Sequence, residues 1–183
     1  MRFRNSADAY GAVAQSLHWL TVVLVVVAWV LGTFDDALPK GAPRAVGLFV
    51  HISAGVAILV ALVARVLWRM VDPPPSAPAM LGAWLDTAGR FAHYALYALL
   101  VAVPIAGIVL QFARGNPLPL FGLGEIPSPW GADRTYARSA KEVHEVLANA
   151  LVIVAVFHAA AAFVHHWIFR DRTLVRMLPG GRR

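Results

Sequence analysis

Seven histidines punctuate a chain of 183 residues that is 59% hydrophobic. Four of them, His144, His158, His165 and His166, fall in the apolar stretch "VHEVLANALVIVAVFHAAAAFVHHW". An ionisable side chain is costly in hydrocarbon, and one found there marks function by default. His144 and His158 stand fourteen residues apart. On a helix, fourteen steps of about 100° miss whole turns by only about 40° and advance about 21 Å. The two rings therefore share a face and fit, at two depths, within a hydrocarbon core of about 30 Å. The same interval links His18 to Gly32, His51 to Arg65 and His93 to Gly107.

The chain has no cysteine. That excludes iron–sulfur clusters, thiolate zinc sites, disulfides and haem attached through C-x-x-C-H. A pair of neutral imidazoles on facing helices is a ligand set for low-spin haem b. Matching depths pairs His18 with His158 in an inner layer and His51 with His144 in an outer layer, so two b-type haems are expected. Gly32, Gly107 and Gly55, the last one turn along from His51, read as places where a flat macrocycle approaches the backbone. Arg65 lies at the inner depth, where a haem propionate needs a cation. His93 shares that depth without a partner and reads as a contact beside the inner haem.

Each residue alone has a plainer reading. Glycines in spans pack helices closely, arginines near span ends snorkel, and a single histidine bonds to a neighbouring helix. A histidine-based zinc site, proton pathway or haem-free transporter also fits single residues. Such pathways usually recruit Asp or Glu within the spans, and the central apolar runs contain none. Two matched depths favour haem.

Four apolar runs must position these residues, at about 11–34, 46–71, 87–112 and 139–169. Each is long enough for a spanning helix of about 20 residues. The mean hydropathy of +0.64 lies outside the range of soluble domains. The expected fold is an all-α membrane protein, a four-transmembrane-helix bundle forming one domain over 1–183. Pro104 is expected to kink the third span. The connections "LPKGAPR", "DPPPSAP" and "GNPLPLFGLGEIPSPWG" are turn-rich. The last is the longest and is expected to cover a surface site. The first run reads as a span, since it exceeds a signal-peptide core and no A-x-A-like site closes it.

Four spans put both termini on one side, with ten of the sixteen Lys and Arg residues. The positive-inside rule makes that side cytoplasmic. The net charge of +6 is thereby assigned to the membrane ends, and nucleic acid is set aside as a partner.

The blocks "SLHWL", "HISAGVAILV", "RFAHYALYALL" followed by "PIAG", "RGNP", "KEVHE", "HAAAAFVHH" and "TLVRMLP" carry a resemblance over nearly the whole chain. They resemble the bacterial cytochrome b561 family of four-helix, di-haem inner-membrane proteins. Within it the likeness is greatest to superoxide:ubiquinone oxidoreductases. The resemblance implies haem ligation by the four paired histidines, a place in the bacterial inner membrane, superoxide as donor and ubiquinone as acceptor. Other relatives serve as cytochrome subunits. They imply the alternative, electron transfer from a redox-protein partner to the quinone pool.

Each end then needs chemistry. Lys141, Arg138 and Arg114 lie near the outer pair and would steer a small anion such as superoxide. Six acids balance the six bases of that side, so the plainer reading is a solvated helix start. His165 lies about two turns past His158, and Ser16 half a turn before His18. The two would hydrogen-bond quinone carbonyls, with His165 supplying a proton. The plainer reading is a pair of interfacial residues. His166 has no assigned role.

Overall fold

The computed structural model describes residues 2–75 and 83–179. Arg182, Arg183 and part of the "DPPPSAP" connection lie outside the described residues. Four long helices dominate: α1 (Ala12–Thr33), α2 (Ala42–Val71), α3 (Ala83–Ala113) and α4 (Arg134–Trp167). All four are long and apolar enough to cross a membrane. Their perimeter exposes apolar side chains such as Val23, Val60, Val101 and Ile153, which suits a lipid solvent and would be costly in water.

Three helix starts precede the apolar runs. α2 begins at Ala42, with Pro43 in its first turn, where a missing amide hydrogen costs nothing. α4 begins at Arg134 because Asp133 caps it, accepting from the Tyr136 amide at 2.9 Å. Its first turns are polar and stand outside the apolar window. α3 begins at Ala83 and runs as one helix through Pro104.

α1 packs closely on α2, and α3 on α4; the two hairpins meet mainly through α2 and α3. The interior follows a seven-residue rhythm. Val25, Ile58, Leu100 and Leu151 each stand midway in one of the fourteen-residue intervals. Ile58, Leu100 and Leu151 belong with Leu62 to a single buried cluster, and Val25 packs against it with Leu24, Ala28, Tyr97 and Val103. An apolar layer thus separates the two histidine depths.

The α3–α4 connection contains a short antiparallel hairpin, β1 (Leu118–Pro119) with β2 (Glu125–Ile126). An all-α reading did not anticipate it, because two-residue strands carry no periodic signal. Phe121 and Gly122 adopt left-handed backbone at its tip (φ 56° and 78°), the conformation a tight reversal needs. The loop is anchored by Ala113 and Leu118, both buried. The Ser128 hydroxyl donates to the Phe112 carbonyl at 3.0 Å. Gly122 comes close to Phe49 of α2, so the loop reaches over from the second hairpin to the first.

The opposite end is tied by both termini. The Asn5 amide donates to Asp72 Oδ2 at 2.8 Å, and its side chain donates to the Asp72 and Pro73 carbonyls. The C-terminal 3-10 turn Val175–Met177 lies against the start of α1. Trp19 Nε1 donates to the Met177 carbonyl at 2.9 Å, and Gln15 Nε2 donates to the Arg176 carbonyl at 3.1 Å. These bonds put both termini at one end of the bundle, as four spans require.

Candidate functional site

Ring centroids of His51 on α2 and His144 on α4 are 6.0 Å apart. Two imidazoles binding one metal at about 2 Å each would separate their centroids by roughly 6 Å. Each ring is also oriented. His51 Nδ1 donates to the Ala28 carbonyl at 2.7 Å, and His144 Nδ1 donates to the Val103 carbonyl at 3.0 Å. A carbonyl only accepts, so both rings carry the proton on Nδ1 and leave the Nε2 lone pair free, as a metal ligand needs.

Helix glycines make those bonds reachable. In a helix, Cβ of residue i+4 leans back toward the carbonyl of residue i. Gly32 is four residues after Ala28, and Gly107 four after Val103. A Cβ at Gly32 would lie 2.8 Å from His51 Cε1, and one at Gly107 3.1 Å from His144 Cε1. Both glycines therefore sit where the outer layer was expected, and what they admit is the facing imidazole ring. Gly55 is half-buried on the His51 face, and a Cβ there would meet nothing within 4 Å. That leaves room for a flat group.

Three histidines gather at the inner depth. His93 of α3 and His158 of α4 are 5.2 Å apart between ring centroids. His18 lies within electrostatic reach of both. Its Nδ1 is buried with no hydrogen-bond partner, an unsatisfied polar group that calls for a ligand or partner. The sequence left His93 alone; the structure gives it His158 as neighbour. Among the described residues, no three His, Asp or Glu side chains converge on a position that could hold a metal ion. The inner layer therefore offers pairs. Arg65 is close enough to act electrostatically on His18, His93 and His158, and its guanidinium lies 5.6 Å from the Tyr97 ring centroid. The spacing of His51 and His144 fits a bis-imidazole haem site; at the inner depth His158 has the ring of His93 beside it and His18 within electrostatic reach.

At the outer end a cavity of about 540 Å³ is lined by Arg114, Arg134, Arg138, Lys141, Glu142 and Glu145. The three cations expected from sequence thus share one pocket. Arg134 is a fourth, missed because the helix was expected to begin later. Lys141 Nζ lies 3.1 Å from Glu145, both half-exposed. Glu145 follows His144 directly, so the pocket adjoins the outer pair.

At the inner end His165 Nδ1 donates to Asp171 Oδ2 at 2.5 Å. The Thr173 amide donates to Asp171 Oδ1 at 2.7 Å. Burial opposes ionisation of Asp171, but the hydrogen bonds from His165 and Thr173 outweigh it and hold the carboxyl below the usual range. Asp171 and Thr173 were not foreseen: they lie past the helix, and only the fold returns them to His165. Ser16 is exposed. Two steps along α1 turn it about 200° from His18, and no hydrogen bond joins it to His165.

A family model described as prokaryotic cytochrome b561 matches residues 9–180. The chain is 34% identical to cytochrome b561 homolog 2 of Escherichia coli (strain K12), over 97% of this chain and 95% of that protein. It is 32% identical to a protein named probable superoxide oxidase CybB of Yersinia pestis, over 94% and 97%. Identity to cytochrome b562 of Cereibacter sphaeroides is 26%, over 89% and 90%. The chain belongs to the prokaryotic cytochrome b561 family of membrane electron-transfer proteins.

Proposed function

We propose that this chain is a superoxide:ubiquinone oxidoreductase holding two haem b, one between His51 and His144 and one between His18 and His158. It lies in the bacterial inner membrane with both termini cytoplasmic, the side that holds the larger share of Lys and Arg. Members of its family bind haem b. When bound, haem b supplies a one-electron iron couple at each layer. The observation that carries the reading is the cationic pocket built on the same helix as His144, one turn beyond it.

The chain's own groups divide the work. Arg114, Arg134, Arg138 and Lys141 concentrate a small anion at the outer pair. Glu142 and Glu145 keep that attraction local. Two superoxide ions release two electrons and leave as two molecules of oxygen. One ubiquinone takes those two electrons and two protons to become the quinol. His165, held by Asp171, offers a hydrogen bond and a proton toward the quinone at the inner end. Arg65 supplies positive charge at the inner depth.

A protein named probable superoxide oxidase among the relatives supports the donor. A second reading makes the chain a cytochrome subunit for a redox-protein partner. The hairpin tip favours it, since Leu123 is 92% exposed outside the spans. One assay separates the two. Purified protein is given a superoxide source and a water-soluble quinone, with haem content measured as the pyridine haemochrome. Two b haems per chain and quinol formation faster than without protein are expected. Two haems without acceleration would favour the subunit reading.

A further inference from the structure

The two hairpins carry one site pattern twice. His18, Ala28 and Gly32 on α1 recur at identical spacing as His93, Val103 and Gly107 on α3. His51 and Arg65 on α2 recur as His144 and His158 on α4. The outer layer keeps this likeness in full. It holds two imidazoles, each donating from Nδ1 to a helix carbonyl that a glycine uncovers.

The inner layer breaks the likeness. Arg65 stands where α4 has His158. His18 Nδ1 is buried without a partner, and among the described residues His158 makes no hydrogen bond. Arg65 is half-buried within its span and has no carboxylate partner among the described residues. It acts electrostatically on all three inner histidines, and Arg69 acts more strongly than Arg65 on His93 alone.

Both differences push the same way. An Nδ1 proton shared with a carbonyl makes Nε2 a stronger electron donor, which favours the oxidised metal. A cation in a low-dielectric span favours arrival of an electron. The outer pocket also holds cations, and Arg114 acts on His144, but Glu145 acts on it in the opposite sense, and these exposed charges are screened by salt within about 8 Å.

We propose that Arg65 and the two carbonyl–glycine cradles make the inner histidine layer the stronger electron acceptor, so an electron delivered at the outer face settles inward. This rests on the two-haem reading above. Arg65, Gly32 and Gly107 are positioning residues in it, and their effect is on potential.

The test is a potentiometric series on purified protein, following haem absorbance, with haem content measured on each sample. The wild type should show two waves separated by at least a tenfold partition of the electron, about 59 mV for a one-electron couple. Arg65→Met should draw the higher wave down and leave the lower in place. Gly107→Ala should push His144 off the Val103 carbonyl and draw the lower wave up. If Gly107→Ala loses haem, the wild-type and Arg65→Met series still decide. Fewer than two haems in the wild type would overturn the functional reading and this inference with it. Two haems with a single wave, or with the higher wave unmoved by Arg65→Met, would overturn this inference alone.

Discussion

His165 and Asp171 form a dyad across the end of α4, with imidazole Nδ1 2.5 Å from the carboxylate. Asp171 has only 6% of its side chain exposed. Its carboxyl is held below the usual range, so it adds stability that is complete above the unfolded pKa of about 3.9 and is lost as pH falls through the lower folded value. Exchange of the Thr173 amide should therefore stay protected from pH 8 down to pH 5. It should open only in stronger acid. In Asp171→Asn it should be faster throughout, and quinol formation should fall about tenfold, the loss of one charged hydrogen bond. Superoxide consumption at the outer end should respond only through that slower outlet.

The inner layer offers His158 two neighbours, and haem content distinguishes them. His18→Leu should lower the b haem count from two to about one per chain. His93→Leu should keep both and shift the spectrum of one. The reverse result would assign His93 as ligand and His18 as the bystander.

Charge at the outer pocket should act on rate. Lys141→Glu is expected to slow superoxide-driven reduction about tenfold at low ionic strength. At 1 M salt, where the Debye length is about 3 Å, the difference should nearly vanish. Glu142→Gln should go the other way by about twofold. Neither change should alter folding much, since exposed ion pairs such as Lys141 with Glu145 contribute about 0–1 kcal/mol. Stopped-flow traces at two salt concentrations check all three.

Much of this was legible in one dimension, because depth along a helix is a count of residues. The fourteen-residue intervals placed His51 level with His144 and His18 level with His158. Azimuth and lateral neighbours were harder to read. Ser16 matches the depth of His18 yet turns away from it, and His93 meets His158 through the packing of α3 on α4. The carbonyls of Ala28 and Val103 were invisible, since a backbone acceptor has no residue identity. Only Gly32 and Gly107 hinted at them. Arg134 was missed because the polar first turns of α4 do not register in an apolar window. Asp171 lies beyond the helix and depends on the chain turning back.

The layer of Val25, Ile58, Leu100 and Leu151 has an electrical meaning. None of these four side chains carries a polar group along which an ion or proton could follow an electron. An electron moving between the two histidine depths would cross about 21 Å of a core about 30 Å thick. A full crossing costs about 2.3 kcal/mol per 100 mV, so this part costs roughly 1.6, slightly more than a tenfold effect. On the proposed orientation, each turnover separates charge and works against an inside-negative voltage. In sealed vesicles the reaction should slow as that voltage builds and recover when an ionophore discharges it. The bundle would then be a small generator, its insulator a layer to which each helix gives one aliphatic side chain.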